Sequence, residues 1–251
     1  MVPLVFLIII VTVTLYGVTA APLARLLGLG GGAPDGVLIL GAHRFGRDMA
    51  RALEGFGVRV HLVDINRTSV NAAKRLKLPA SLANAISPEF VEEYDEQGIG
   101  CLLALTPNDE VNTLGCLRYA ERFGRDHVFQ ITPTDDDEAP NPEAIGPSHR
   151  GRLLFGQGVT LAALDARLQA GGRIHIVDLP LAADAVVPGP DAPRLFVITP
   201  ERAVHFMTTD AQLPARGRLA YLGAAPPLAD EAVEANLGTA APAAPEPAGT
   251  T

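Results

Sequence analysis

Cysteine is scarce in this chain of 251 residues: only Cys101 and Cys116 occur, in segments that read as a buried strand and a helix. Two cysteines without ligand spacing argue against a disulfide scaffold or a zinc site and fit small core residues in a reducing compartment. Positive charge is also short. Twenty Lys and Arg against 28 Asp and Glu give a formal net charge of −8, whereas nucleic-acid backbones are held by clustered cations, so no nucleic-acid partner is expected. His43, His61, His127, His149, His175 and His205 are dispersed, with no pair at a metal-ligand spacing. Tyr16, Tyr94, Tyr119 and Tyr221 are followed four residues later by Ala, Gly, Phe and Ala, so the YxxxK pair of short-chain dehydrogenases is missing. The expectation is a protein that is not an enzyme, with an NAD(P)-dependent oxidoreductase as one alternative and a single-span interaction protein unrelated to transport as another. The acidic run Asp135 to Glu138 lacks the glycine turn and terminal glutamate of a calcium loop, and it reads as a solvated linker.

Charge is absent altogether from residues 2–24. About 20 apolar residues suffice to cross a bilayer as a helix, so this run reads as a transmembrane span. A secretory leader is the competitor, since Val18-Thr19-Ala20 has the small residues of a cleavage site. No Lys or Arg precedes the run, however, and it is longer than a usual signal core. Arg25 flanks its C-terminal end, which by the positive-inside tendency puts the bulk of the chain in the cytoplasm under a plasma (inner) membrane. Thr12, Tyr16 and Thr19 share a helical face, and Gly17 with Ala21 forms a small-xxx-small pair. Such a face suits packing against other membrane helices.

Beyond the apolar run the chain is rich in nucleotide-fold signals. Val37 to Leu40 is a short apolar strand, followed by Gly41-Ala42-His43-Arg44-Phe45-Gly46. Phe45, Met49, Leu53 and Phe56 then repeat at helical spacing up to Gly55 and Gly57, and a second strand, Val58 to Val63, ends at Asp64. Strand, glycine turn, helix, strand and acid come in the order of a dinucleotide fold, with the acid about 20 residues beyond the turn. Gly41 permits the turn, Gly46 lets helix and sheet approach, and the helix N-terminus offers free amides to a phosphate. Arg44 and Arg47 oppose the helix dipole in its first turn, an arrangement a bound anion would relieve. His43 replaces the fingerprint's middle glycine, which normally lets the backbone approach a pyrophosphate. That substitution leaves open a mononucleotide, a shifted dinucleotide or a pocket that binds nothing. Asp64 favours a ribose without 2′-phosphate.

The alternation continues. Arg67 to Leu76 reads as a helix, Pro79 to Ser87 as a short strand and loop, and Pro88 to Gln97 as a helix capped by Ser87. Ile99 to Leu105 is a continuous apolar strand. The helix opened by Thr106-Pro107-Asn108-Asp109-Glu110 carries Val111, Leu114 and Leu117 at helical spacing, and His127 to Ile131 is a further strand. Such βα units specify a doubly wound parallel sheet. Further on, Leu161 to Leu168 reads as a helix, Arg173 to Leu179 as a strand, Leu195 to Ile198 with Val204 to Met207 as a hairpin, and Arg218 to Leu222 as a last strand. The expected class is α/β: an N-terminal transmembrane helix, a Rossmann-like parallel-sheet domain, then a small α+β subdomain. The expected boundaries are 1–29 for the span and its exit, 34–133 for the nucleotide domain, 134–152 for an acidic, proline-bearing linker, 153–223 for the subdomain and 224–251 for a disordered Ala/Pro tail.

The motifs GAHRFGRDMARAL, VDIN at Val63 to Asn66 and LTPNDEVNTLGCLRYAERFG at Leu105 to Gly124 resemble the nucleotide-binding part of an RCK (regulator of potassium conductance), or TrkA-N-type, domain. TLYGVTAAPLARLLGL, Thr14 to Leu29, resembles the last membrane helix of bacterial cation/proton antiporters and its exit. The resemblance implies the C-terminal end of such an antiporter with its fused regulatory domain, whose soluble part binds an adenine nucleotide or NAD(H) and gates the membrane part. Carried over by position, Gly41, Arg44, Gly46 and Asp64 would hold the nucleotide within the cradle of Gly41, Ala42, His43, Arg44, Phe45 and Gly46, with Asn84 and Thr106 as rim contacts. The implied function is nucleotide sensing for monovalent cation (Na⁺ or K⁺)/proton antiport. The implied partners are antiporter membrane helices outside this sequence and a second copy bound through the Rossmann-like domain.

Overall fold

A computed structural model describes residues 36–93, 98–134, 150–156, 158–180 and 191–224, together with Val5, 10–14 and Thr19 in helical conformation. The predicted span, the acidic linker and the Ala/Pro tail therefore lie largely outside the described residues. Among the described residues, no helix is long and apolar enough to cross a membrane.

The first layered unit runs β1 (Gly36–Leu40), α1 (Arg44–Glu54), β2 (Val60–Asp64), α2 (Arg67–Arg75), β3 (Ala80–Leu82), α3 (Pro88–Glu93), β4 (Ile99–Ala104), α4 (Asp109–Phe123) and β5 (Val128–Gln130), and β6 (Arg152–Leu153) closes it. Its strands form one parallel sheet in the order β3-β2-β1-β4-β5-β6. β1 and β4 are buried along their whole length, which is why they read as unbroken apolar runs. Successive residues of β1 serve opposite faces. Val37 and Ile39 join Leu103, Phe129, Phe45, Met49 and Leu53 on the α1 side, while Leu38 and Leu40 join Leu102, Val128, Phe90, Cys116 and Tyr119 on the α3–α4 side.

One sequence reading needs correction, and one helix face was not foretold. Residues 152 and 153, read as the end of the linker and the start of the subdomain, are the sixth strand, paired with β5 through Phe129↔Arg152 and Gln130↔Leu153. A two-residue strand has no periodicity of its own to announce it. On α4, Leu114 and Leu117 mark the helix but not its buried side: they are 43% and 41% exposed. The buried side carries Asn112, Thr113, Gly115, Cys116 and Tyr119, because α4 lies so close on the sheet that a Cβ at Gly115 would stand 2.9 Å from Leu40 Cδ1.

The second unit adds α5 (Leu161–Gln169), β7 (Arg173–Leu179), β8 (Arg194–Ile198), β9 (Val204–Phe206) and β10 (Gly217–Gly223). Its antiparallel sheet has the order β7-β10-β8-β9. It shares the core of the first unit: Leu161, Leu164, Leu168, Leu195, Phe196, Phe206 and Leu222 form one cluster with Phe45, Met49 and Phe129. Phe45 meets Phe155 edge to face at 5.7 Å, and Phe56 meets Phe196 at 6.0 Å. Each fully buried ring of this kind is worth about 1.5–3 kcal/mol in area alone. α1 thus lies between two sheets, with its N-terminus at the C-terminal edge of the parallel one.

Candidate nucleotide-binding site

The turn after β1 is set by Gly41, whose φ of +108° is a conformation L side chains rarely adopt. A Cβ there would also stand 3.0 Å from the His43 ring and 3.1 Å from the Leu105 carbonyl oxygen. Gly46 serves close packing instead, since a Cβ would overlap the Gly41 carbonyl oxygen. Between them His43 is the N-cap of α1, in extended conformation.

The His43 ring is engaged at both nitrogens. Nε2 lies 2.6 Å from the Leu105 carbonyl oxygen, and Nδ1 accepts the Gly46 amide at 3.4 Å. Only the neutral Nε2–H tautomer satisfies both. The ring therefore bridges the turn after β1 to the end of β4, across the crevice where the strand order reverses. In open α/β sheets a dinucleotide crosses from one half-site to the other at that crevice.

Asp64 is equally fixed. Its Oδ2 accepts the Ala42 amide at 2.8 Å and its Oδ1 accepts the Asn66 amide at 2.8 Å. The carboxylate is half-buried beside the turn and keeps acceptor capacity for a hydroxyl. Asn66 in turn caps α2 by accepting from Thr68 and Ser69. Arg47 donates to the Ala42 carbonyl at 2.6 Å, so it braces the turn, whereas Arg44 is exposed. Burial raises the pKa of Asp48, against the opposing pull of Arg44, Arg47 and Arg51.

Ala42 and Phe45 are wholly buried, so their side chains belong to the core and reach a ligand only through backbone. Ala42's amide is already given to Asp64. The amides of Arg44 and Phe45, the first two of α1, have no acceptor among the described residues, and they are the donors an anion would take. Gly41, Ala42, His43, Gly46 and Asp64 are brought together, with Leu105–Thr106 opposite. Thr106 is less free than a rim contact should be: its amide donates to Asn112 Oδ1 at 2.9 Å, and its Oγ1 lies 2.8 Å from the same oxygen and 3.0 Å from the Asn108 carbonyl. Asn84 closes a turn in the loop after β3, accepting from Ile86 at 3.3 Å.

Leu105 and Asn66 shape the site without having been singled out as contacts, and Arg47, read only as a first-turn cation that a bound anion would relieve, braces the turn. Asn66 alone left a readable signal, a capping residue directly before a helix. A backbone carbonyl such as that of Leu105 leaves none.

No metal-binding cluster of three or more His, Cys, Asp or Glu occurs among the described residues. Burial pushes the Cys116 thiol up to about 12 and raises Cys101 as well, leaving both protonated and unreactive.

No curated protein matches the chain. Among solved structures, the TrkA-N domain of the inner membrane protein ybaL from Escherichia coli is 18% identical, with a TM-score of 0.33, over 39% of this chain and 70% of that one. The NAD(P)-binding domain of an exopolyphosphatase-related protein from Archaeoglobus fulgidus is 20% identical, TM-score 0.38, over 53% and 92%. The GsuK channel bound to NAD is 15% identical, TM-score 0.37, over 76% of this chain but only 36% of that one. Residues 37–141 match the family model of the TrkA-N domain.

Proposed function

We propose that the glycine turn binds the adenylate moiety of an adenine nucleotide or of NAD(H), and that the chain is a nucleotide-sensing regulatory unit of a monovalent cation (Na⁺ or K⁺)/proton antiport system. The observation that carries the reading is the pair of acceptor-free amides of Arg44 and Phe45 at the N-terminus of α1, beside the anchored Asp64 carboxylate. Those amides, with the helix dipole, suit a phosphate, and Asp64 suits a ribose hydroxyl. The family match over residues 37–141 supports a nucleotide-binding domain. The bridging His43 ring favours ligands that stay on the β1–β3 side, such as AMP, over a dinucleotide crossing to β4.

The chain performs no catalysis in this reading. Residues 2–24 tether it to the membrane, and the cation path belongs to partner helices. Two copies associate through the Rossmann-like domain, along the groove of Ile86, Val91, Leu114 and Leu117 between α3 and α4. Regulation requires that the nucleotide bind two conformations with different affinity. Isothermal titration of the full chain with AMP, ADP, ATP, NAD⁺ and NADH tests the ligand claim. Heat saturating with at least one of them supports it, and no heat at millimolar ligand defeats it. Turnover of NADH with small carbonyl substrates would replace it with an oxidoreductase.

A further inference from the structure

We propose that the cleft at the far end of α1, between the Gly55–Gly57 turn and the second sheet, binds a soluble, phosphate-bearing small molecule. This site is separate from the glycine turn and does not depend on it. The cleft has a volume of about 740 Å³, within the range of about 300–1,000 Å³ usual for small-molecule pockets. Phe56 and Pro200 give it an apolar wall, and Arg202, Arg216 and Arg218 give it three guanidinium groups against the single carboxylate of Asp178. That concentration of cations stands out in a chain of net charge −8.

The three arginines differ in what they have to offer. Arg218 lies over the Phe56 ring at 4.4 Å and stands directly opposite Asp178 across the β10–β7 pair, so its charge is partly met. Arg202 and Arg216 have no carboxylate partner at ion-pair distance among the described residues, where the ion pair found is Arg152–Asp210. Arg202 is held at φ +68° in the tight turn between β8 and β9, closed by the bonds from Thr199 to Ala203 and from Arg202 to Thr199. A planar fork of donors on a constrained turn is suited to bidentate contact with phosphate oxygens. Guanidinium groups around a concave, partly apolar cleft favour a small ligand with a body to bury over a flat lipid surface.

The probe is inorganic pyrophosphate, titrated calorimetrically into the full chain, with arginine variants separating this cleft from the glycine turn. Vesicles containing phosphatidylglycerol are tested alongside by co-sedimentation. Arg202→Gly suits the positive φ and, combined with Arg216→Ala, removes both unpaired cations. The double variant should lose at least tenfold in pyrophosphate affinity with its unfolding midpoint unchanged, and AMP affinity should stay within twofold of wild type. Arg216→Glu alone should weaken pyrophosphate in the same direction, which keeps the test valid if the double variant folds poorly. Silence of the wild type toward pyrophosphate overturns the site, as does equal affinity in wild type and variants. Arginine-dependent capture by anionic vesicles without pyrophosphate binding also overturns it. A protein that binds pyrophosphate here but no nucleotide at the glycine turn keeps this inference and loses the previous one.

Discussion

His43 links stability and ligand choice in one side chain. Its ring closes the N-terminus of α1 through Gly46 and ties β1 to β4 through Leu105, and in doing so it occupies the crossing that a dinucleotide needs. His43→Gly restores the fingerprint glycine. Glycine as N-cap costs only a few tenths of a kcal/mol, and the lost hydrogen bond to Leu105 about 1 kcal/mol, so a urea melt should show about 1 kcal/mol of destabilisation. NAD⁺ should bind about tenfold more tightly, roughly 1.4 kcal/mol, while AMP affinity stays level. NAD⁺ binding no better than in wild type would show that the ring is not what limits it.

A second histidine has a different consequence. His61 on β2 contacts Ser81 Oγ at 2.9 Å, and burial, helped by the Lys74 charge, lowers its pKa to about 4. The unfolded chain therefore takes up a proton below pH 6.5 that the folded chain refuses until about pH 4, and stability must fall as pH drops through that window. With the ring partly solvated, screening holds the effect to on the order of 1 kcal/mol. His61→Gln should flatten this part of the pH–stability curve relative to wild type, as followed by denaturant melts from pH 4 to 7. An unchanged curve would mean the slope belongs to carboxylates.

Elements were legible wherever one face is strictly apolar or a cap is written in the residues. β1, α1, β2 and β4 follow directly from Val37 to Leu40, from the Phe45–Met49–Leu53 stripe and from the apolar runs ending at Asp64 and Leu105. Asn66, Asn108 and Thr160 each cap the helix after them. The inner face of α4 was not legible, because its contacts use small and polar groups. Asn112 is fully buried and spends its amide on Thr106, and the Val111, Leu114 and Leu117 spacing marks the helix without marking its buried face. The site reads the same way: the glycines and Asp64 declare themselves, but the backbone carbonyl that holds His43 does not.

Two substitutions test these elements. Asn66→Ala removes the acceptor for Thr68 and Ser69 and should cost about 1 kcal/mol, measured by thermal unfolding. It also frees the Asp64 side of the turn only slightly, so nucleotide affinity should change less than threefold. Gly46→Ala drives a methyl into the Gly41 carbonyl, and overpacking of this kind costs about 1–3 kcal/mol. Because α1 must lift from the sheet to relieve it, nucleotide binding should be lost as well. Retained affinity in a folded Gly46→Ala protein would mean that the turn is not the binding element.

At the scale of the molecule, a doubly wound parallel sheet follows from βα alternation and right-handed crossovers, and the residues announced that much, but neither its order β3-β2-β1-β4-β5-β6 nor the two-residue β6. The continuity of the two sheets was not announced, since it depends on pairings distant in sequence. Leu154 bridges to Thr208, the Phe155 amide donates to the Met207 carbonyl at 2.7 Å, and Phe155 itself sits at φ +67° with its ring on Phe45. A bulky residue in that backbone conformation is costly, and the contact with Phe45 is what the conformation secures. Phe45 carries one of the two amides proposed to take phosphate, so the segment after β6 packs against the residue that carries it. Phe155→Ala should therefore have two effects: a loss of about 3–5 kcal/mol in a urea melt, as for other buried aromatic truncations, and weaker AMP binding as α1 loses its support. Phe155→Leu, which refills much of the volume but not the edge-to-face contact, should recover most of the stability. If AMP affinity follows stability through the series, the shared core transmits the effect; if Phe155→Ala binds AMP as wild type does, the Phe155–Phe45 contact has no influence on the turn.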